Sequence, residues 1–216
     1  MVEHLRRQGI AAATVSALAA VPREAFLPQE QRELAYEDRA LAIGLGQTCS
    51  QPQMVAVVVQ ALDLSPGAAV LEVGAGSGYL AAVLRAAGAS RVVAIELLPE
   101  LAAQARRNLN QAGITGVVIL VGDGRRGAPE QGPFDAVVVS AAATQIPPAL
   151  LSQVGSHGKL VCPVASGGSE RLWRLQREDG AWSRRDLGEC RFVPLLGDAD
   201  PTDGEQTDAV GAGPFP

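Results

Sequence analysis

Histidine is nearly absent. The 216-residue chain has two, His4 and His157. A nucleophilic serine or cysteine needs a base within hydrogen-bond reach, usually a histidine. The segment GLGQTCSQPQM, residues 44 to 54, sets Thr48, Cys49 and Ser50 side by side, but neither histidine is near it in sequence. His4 stands at the chain end, and His157 lies in VGSHGKLV, which reads as the turn before a strand. No G-x-S-x-G elbow occurs either. These gaps argue against a serine or cysteine hydrolase. The plain reading of the segment is a polar turn with Ser50 as the N-cap of the next helix and Pro52 in its first turn.

Cysteine is also scarce. Cys49, Cys162 and Cys190 are odd in number and show no C-x-x-C spacing, which excludes a disulfide framework and a zinc site of that type. Each is expected to be a small buried apolar residue in a reducing compartment, and no metal site is expected. No uncharged apolar run reaches the roughly 18 residues that a membrane-spanning helix needs. A surplus of positive charge is missing as well. The net charge is −5, and five of the 23 acidic residues (Asp198, Asp200, Asp203, Glu205, Asp208) fall after residue 197, leaving 18 acidic against 18 basic. A body without excess charge is not built to neutralise phosphates, so no nucleic-acid partner is expected. Lys159 is the only lysine; with the abundance of alanine, this reads as compositional bias.

What the chain does have is length for one α/β domain and a hydrophobic content of 47%. The start, MVEHLRRQGIAAATVSALAAVPREAF, is amphipathic rather than strongly apolar, so it reads as a helix over 3–20 and the protein is expected to be cytoplasmic. Residues 51–62 form a second helix. Strands and helices then alternate: AVLEV, GYLAAVLRAAG, RVVAIEL, PELAAQARRNLNQAG, GVVILVG, DAVVVSA, PPALLSQVG and KLVCPV. Short β-branched runs between amphipathic helices predict a doubly wound, mostly parallel sheet buried on both faces. ERLWRLQREDGAWSRRDLGECRFVPL, turning at Asp179-Gly180, predicts an antiparallel hairpin added to that sheet. Residues 1–197 are thus expected to form one domain: a helical part over 1–62 that includes the 44–54 loop, a core over 66–164 and a hairpin over 165–197. Residues 198–216, rich in Gly, Pro and Asp, are expected to be a disordered acidic tail.

The strongest chemical signal is LEVGAGSGYL, with Gly74, Gly76 and Gly78 where the first core strand meets its helix. Glycines there let the backbone turn sharply and approach a ligand. A dinucleotide fingerprint would be G-x-G-x-x-G. Here the spacing is G-x-G-x-G, with Tyr79 following, and acidic Glu72 precedes the loop. A carboxylate opposes a pyrophosphate but suits a ligand bearing an ammonium and a sulfonium, which favours S-adenosylmethionine over NAD. Glu96 ends the second strand, where a carboxylate can accept from ribose hydroxyls. Asp123 and Gly124 end the third, where a carboxylate and backbone amides can meet an adenine edge.

Six segments together resemble the protein-L-isoaspartate O-methyltransferase family: VPREAFLP (21–28), AYEDRALAIGLGQTCSQPQMVA (35–56), VLEVGAGSGYLAAVL (70–84), GDGRRG (122–127), PFDAVVVSAAA (133–143) and RFVPLLG (191–197). The resemblance implies a Rossmann-like methyltransferase that uses S-adenosyl-L-methionine and releases S-adenosyl-L-homocysteine. It implies methylation of the free carboxylate of L-isoaspartyl residues in damaged proteins and peptides, starting repair through a succinimide. It further implies that Ser50 orients that carboxylate, that Gln47 and Thr48 shape a lid, and that Ala141 and Ala142 leave room for the isoaspartyl residue. Arg191, Phe192, Val193, Pro194 and Leu195 then form the strand that pairs with the substrate backbone. Without the resemblance, the run Ala141–Ala143 reads as packing at a helix start. The protein is expected to act as a monomer away from membranes. Where the family carries Ile, Pro and a Gly-Gly turn, this chain has Cys49, Ala42 and Ser156-His157-Gly158. Two other readings stand beside this one: a related carboxyl methyltransferase serving one peptide in a biosynthetic pathway, and a binding module for S-adenosylmethionine that has lost turnover.

Overall fold

The structure is a computed structural model and describes residues 1–197; the expectation for 198–216 lies outside those residues. Its centre is a seven-stranded sheet in the order β5-β4-β3-β6-β7-β8-β9. These strands are β3 (Ala69–Val73), β4 (Arg91–Glu96), β5 (Val117–Val121), β6 (Phe134–Val139), β7 (Val154–Ser166), β8 (Ser169–Glu178) and β9 (Ala181–Glu189). The first five run parallel, and β8 and β9 are antiparallel additions, as the sequence predicts. The chain winds outward from β3 through β4 to β5, then crosses back to lay β6 on the other side of β3. That reversal opens a crevice at the carboxyl ends of β3 and β6, where open α/β sheets bind ligands.

The two faces are covered unequally. Helices α1 (Val2–Arg7), α2 (Ala12–Ala19), α3 (Pro52–Leu62), α4 (Tyr79–Ala86) and α5 (Pro99–Gln111) pack on the face that carries Val70, Val92, Ala94 and Val138. The other face, with Leu71, Val93, Val137 and Leu160, is covered by the short helix α6 (Pro148–Ser152) and by loops. Prolines open α3, α5 and α6 at the first turn, where a missing N–H costs nothing.

Several expectations are corrected. The helix expected over 3–20 is two helices, because Gly9 at φ +76° breaks it. The segment before α3 is a hairpin, β1 (Leu41–Gly44) with β2 (Gln47–Cys49), pairing Leu41 with Cys49 and Ala42 with Thr48. Ser50 does not cap α3. The cap position is Gln51, and Asp38 Oδ1 accepts from the Gln53 N–H at 2.8 Å. His157 lies within β7, not in a turn before it; the extra residues between Val154 and Lys159 form a bulge against β6. β5 is an edge strand with Val118 and Val121 exposed, so burial on both faces holds for the inner strands only. The hairpin ends at Glu189. Residues 192–195 turn back instead to Ala142, whose N–H donates to Val193 O at 2.7 Å and whose carbonyl accepts from Leu195 N at 2.8 Å.

Candidate active site

The loop after β3 is held against β4: the Gly74 and Ala75 N–H groups both donate to Ile95 O, at 2.8 and 3.1 Å. Gly74, Gly76 and Gly78 all have positive φ, which L side chains avoid. Gly78 is the cap of α4, and a Cβ there would stand 3.2 Å from Leu109 Cγ. It serves the packing of α4 on α5 and does not line the cavity.

That cavity, of about 330 Å³, opens at the crevice between β3 and β6. A small-molecule site begins at about this size. Gln47, Thr48, Ser50, Glu72, Gly74, Gly76, Glu96, Gly124, Ala141, Val193 and Pro194 all line it. Of the residues singled out in the sequence, Gly78, Asp123 and Ala142 do not. Ala142 is a backbone link to residues 193–195, and no helix starts at the alanines. Asp123 caps a 3-10 turn, its carboxylate accepting from Arg125 N and Nη2, each at 2.9 Å. Ser77, Tyr79, Met54 and Ser140 line the cavity and were missed, whereas Phe192, which also lines it, belongs to the segment expected to meet the substrate. Ser77 alone had a signal, its place between two loop glycines.

Two carboxylates define the electrostatics. Glu96 is buried, with Oε2 accepting from Gly76 N at 2.8 Å and Oε1 from Leu98 N at 3.1 Å. It therefore clamps the glycine loop, and each oxygen keeps a lone pair for a ligand hydroxyl. Glu72 is 1% exposed and its Oε2 has no partner. Burial, and then the charge of Glu96, push the Glu72 carboxyl well above the usual carboxylate range. An unsatisfied buried carboxyl that lines a cavity leaves an acceptor open to a ligand's cation or donor.

A smaller cavity of about 190 Å³ adjoins the first. Thr48, Ser50, Met54, Ser140, Phe192 and Val193 line both, so Ser50 stands in the partition. Neither cavity is lined by a histidine; His4 is elsewhere, 3.6 Å from Asp38 Oδ2. The cysteines are unpaired. Cys49 and Cys162 are buried as expected, but Cys190 is half-buried on the smaller cavity.

The protein-L-isoaspartate(D-aspartate) O-methyltransferase family model matches residues 1–200. The chain belongs to that family. The protein-L-isoaspartate O-methyltransferase of Methanoculleus marisnigri is 45% identical over 199 residues, covering 91% of this chain and 90% of its own. That of Methylorubrum extorquens is 50% identical over 194 residues, covering 88% and 84%. A solved protein-L-isoaspartate O-methyltransferase superposes with a TM-score of 0.84 at 28% identity over 91% of this chain and 65% of that longer one. A Plasmodium falciparum structure, described as a protein of this kind in complex with S-adenosyl-L-homocysteine, gives 0.79 at 24% identity over 91% and 97%, and so attests the fold. The chain is an enzyme of the methyltransferase class, and the Rossmann-like fold expected from sequence is the fold observed.

Proposed function

We propose that the two cavities divide the family's reaction between them: S-adenosyl-L-methionine in the larger one, the isoaspartyl residue in the smaller one, and Ser50 between. The observation that carries this is the position of Ser50 in the shared wall. The activity is methylation of the free carboxylate of L-isoaspartyl residues in proteins and peptides.

The larger cavity fits the cofactor. Unpartnered Glu72 suits the cofactor's ammonium, the positive-φ glycines at 74 and 76 bring the backbone close, and Glu96 and Gly124 take the nucleoside end. Asp123 supports Gly124 from behind. When bound, S-adenosyl-L-methionine supplies an electrophilic methyl on a sulfonium. An isoaspartyl carboxylate is already a nucleophile, so no base is required, and the missing histidine is no obstacle. The chain's task is in-line placement near 3 Å and exclusion of water. Ser50 donates to the substrate carboxylate, Gln47 and Thr48 close over it, Ala141 leaves it space, and Val193 and Pro194 hold the peptide. The neighbouring backbone nitrogen then attacks the ester carbonyl and expels methanol, which carries off the nitrogen's proton, closing a succinimide that hydrolyses in part to normal aspartate.

We assign residues 1–197 to one methyltransferase unit that works as a cytoplasmic monomer without nucleic acid. Its unpaired cysteines and balanced charge support this, and among the described residues no helix is long and apolar enough to cross a membrane. The test is methyl transfer from labelled S-adenosyl-L-methionine to unrelated isoaspartyl peptides and their aspartyl twins. Label on most isoaspartyl members and none on the twins is expected; label on a single peptide would favour a dedicated biosynthetic enzyme, and none at all a binding module.

A further inference from the structure

Arg23 is the largest fully buried side chain outside the reaction just described. Its Nη1 donates to Ala35 O at 2.6 Å, and its Nη2 faces the carbonyls of Ser50 at 2.9 Å, Arg39 at 3.1 Å and Cys49 at 3.3 Å. Nε has no partner. We infer that Arg23 is a positioning residue for methyl transfer: by holding the carbonyls of Cys49 and Ser50, which flank the Ser50 Cα, it fixes where the Ser50 hydroxyl stands in the wall between the two cavities.

The inference rests on the role given to Ser50 and goes one step behind it. Ser50 is the single residue between the end of β2 at Cys49 and the cap of α3 at Gln51. Cys49 is held by its pairing with Leu41, and the Gln51 carbonyl accepts from Val55 N. The Ser50 carbonyl belongs to neither ladder. Without Arg23, the carbonyls on both sides of the Ser50 Cα lose their donor, and the link from Cys49 to Gln51 can shift with Cα and side chain together. A misplacement of about 1 Å at a reacting group can cost on the order of 100-fold in rate.

A purely structural role accounts poorly for the choice of residue. Taking a guanidinium out of water is costly, and apolar packing of the same volume often stabilises as well or better. What the guanidinium offers is a rigid planar fork that reaches several acceptors at once, which a lysine ammonium cannot reproduce. Its plane is braced too: Arg23 Cζ lies 5.9 Å from the centroid of the Tyr79 ring, and Tyr79 lines the cofactor cavity. Arg23 thus ties the serine to the wall of the site that holds the methyl donor.

The test is a double-mutant cycle of Arg23→Lys with Ser50→Ala, reading kcat and KM on an isoaspartyl peptide and S-adenosyl-L-homocysteine affinity by calorimetry. Arg23→Lys is expected to lower kcat by about 10- to 100-fold, with affinity for S-adenosyl-L-homocysteine within roughly 3-fold of the parent. In the Ser50→Ala background, the same substitution is expected to change kcat by less than about 3-fold, since the group it positions is gone. Losses that multiply, or an affinity that falls in step with kcat, overturn the inference. A Ser50→Ala enzyme with normal turnover sinks the serine assignment instead, and that shows in the single variant. Arg23→Gln, which loses the charge but keeps a donor, stands in if Arg23→Lys does not fold. If neither variant folds, Arg23 is structural and the inference is wrong.

Discussion

Ser50 and Cys49 are neighbours with opposite assignments. Cys49 is buried, and burial raises its thiol pKa, while the guanidinium of Arg23 lowers it in part. A thiol kept protonated is no nucleophile. Cys49→Ala is therefore expected to stay active, whereas Ser50→Ala is expected to lose about 10- to 1000-fold in turnover with little change in cofactor affinity, because orientation is removed and not proton transfer. Steady-state kinetics beside calorimetry decides it; a dead Cys49→Ala with a working Ser50→Ala reverses the roles. Glu96→Ala is expected to weaken S-adenosyl-L-homocysteine by about 1 to 3 kcal/mol, the cost of losing hydrogen bonds to a charged group. Part of that loss would come through the glycine loop, since Glu96 also holds Gly76 N. That Glu72, Glu96, Gly74 and Gly76 share one cavity was legible because loop chemistry follows directly from spacing after a strand. Arg23 was not, because its partners lie 12 to 27 residues away and nothing local in VPREAF announces them. Asp123 shows the converse. Its partner, Arg125, is two residues on, and a strand-end carboxylate looks the same in sequence whether it faces a ligand or its own turn.

The helices and strands that flank the site show the same division. The alternation from β3 to β7 was readable because each strand is a β-branched run bounded by glycine or proline. The β1–β2 hairpin was not, since its strands are only four and three residues long and its tip uses Leu45 at φ +52° beside glycines. Residues 191–197 look like a continuation of the last hairpin in sequence, yet tertiary pairing to Ala142 takes them across the cavity mouth. The start of α4 offers a test of packing against ligand contact. Gly78 has φ +85°, and an added Cβ would press on Leu109 Cγ at 3.2 Å and Ala105 Cβ at 3.4 Å. Gly78→Ala is expected to cost about 2 to 4 kcal/mol of stability, combining left-handed strain with overpacking. Denaturant unfolding measures this directly. At temperatures where the variant is folded, cofactor affinity should fall far less than in Glu96→Ala; an equal or greater fall would place Gly78 in the ligand's own wall.

Across the molecule as a whole, the buried carboxylate in the cavity links folding, cofactor and pH. Glu72 sits on the central strand β3, on the face covered by α1 to α5, and has no hydrogen-bond partner for Oε2. Its folded value is raised above the ordinary 4.5 by burial and then by Glu96. Between those two values the folded, ligand-free protein holds a proton that the unfolded chain has released, so stability falls as pH rises through that window. Below the ordinary value the full contribution is present. Glu72→Gln removes the titration and leaves a neutral side chain, so the ligand-free variant is expected to match the parent near pH 4.5. It should be more stable by about 1 to 3 kcal/mol at pH 8, the usual cost of an unsatisfied buried group. The cofactor reverses the sign. An ammonium beside Glu72 favours the carboxylate, so binding releases the proton, and affinity for S-adenosyl-L-homocysteine is expected to rise with pH, by at most about tenfold per pH unit, until the ligand-free carboxyl is ionised. Glu72→Gln should bind weakly and without that pH dependence. Calorimetry between pH 5 and 8, repeated in buffers of different ionisation enthalpy, counts the proton. A parent affinity flat with pH and no proton release would mean that Glu72 is already ionised without ligand. A variant destabilised at pH 8 would mean that the carboxylate holds the sheet together instead of waiting for the cofactor.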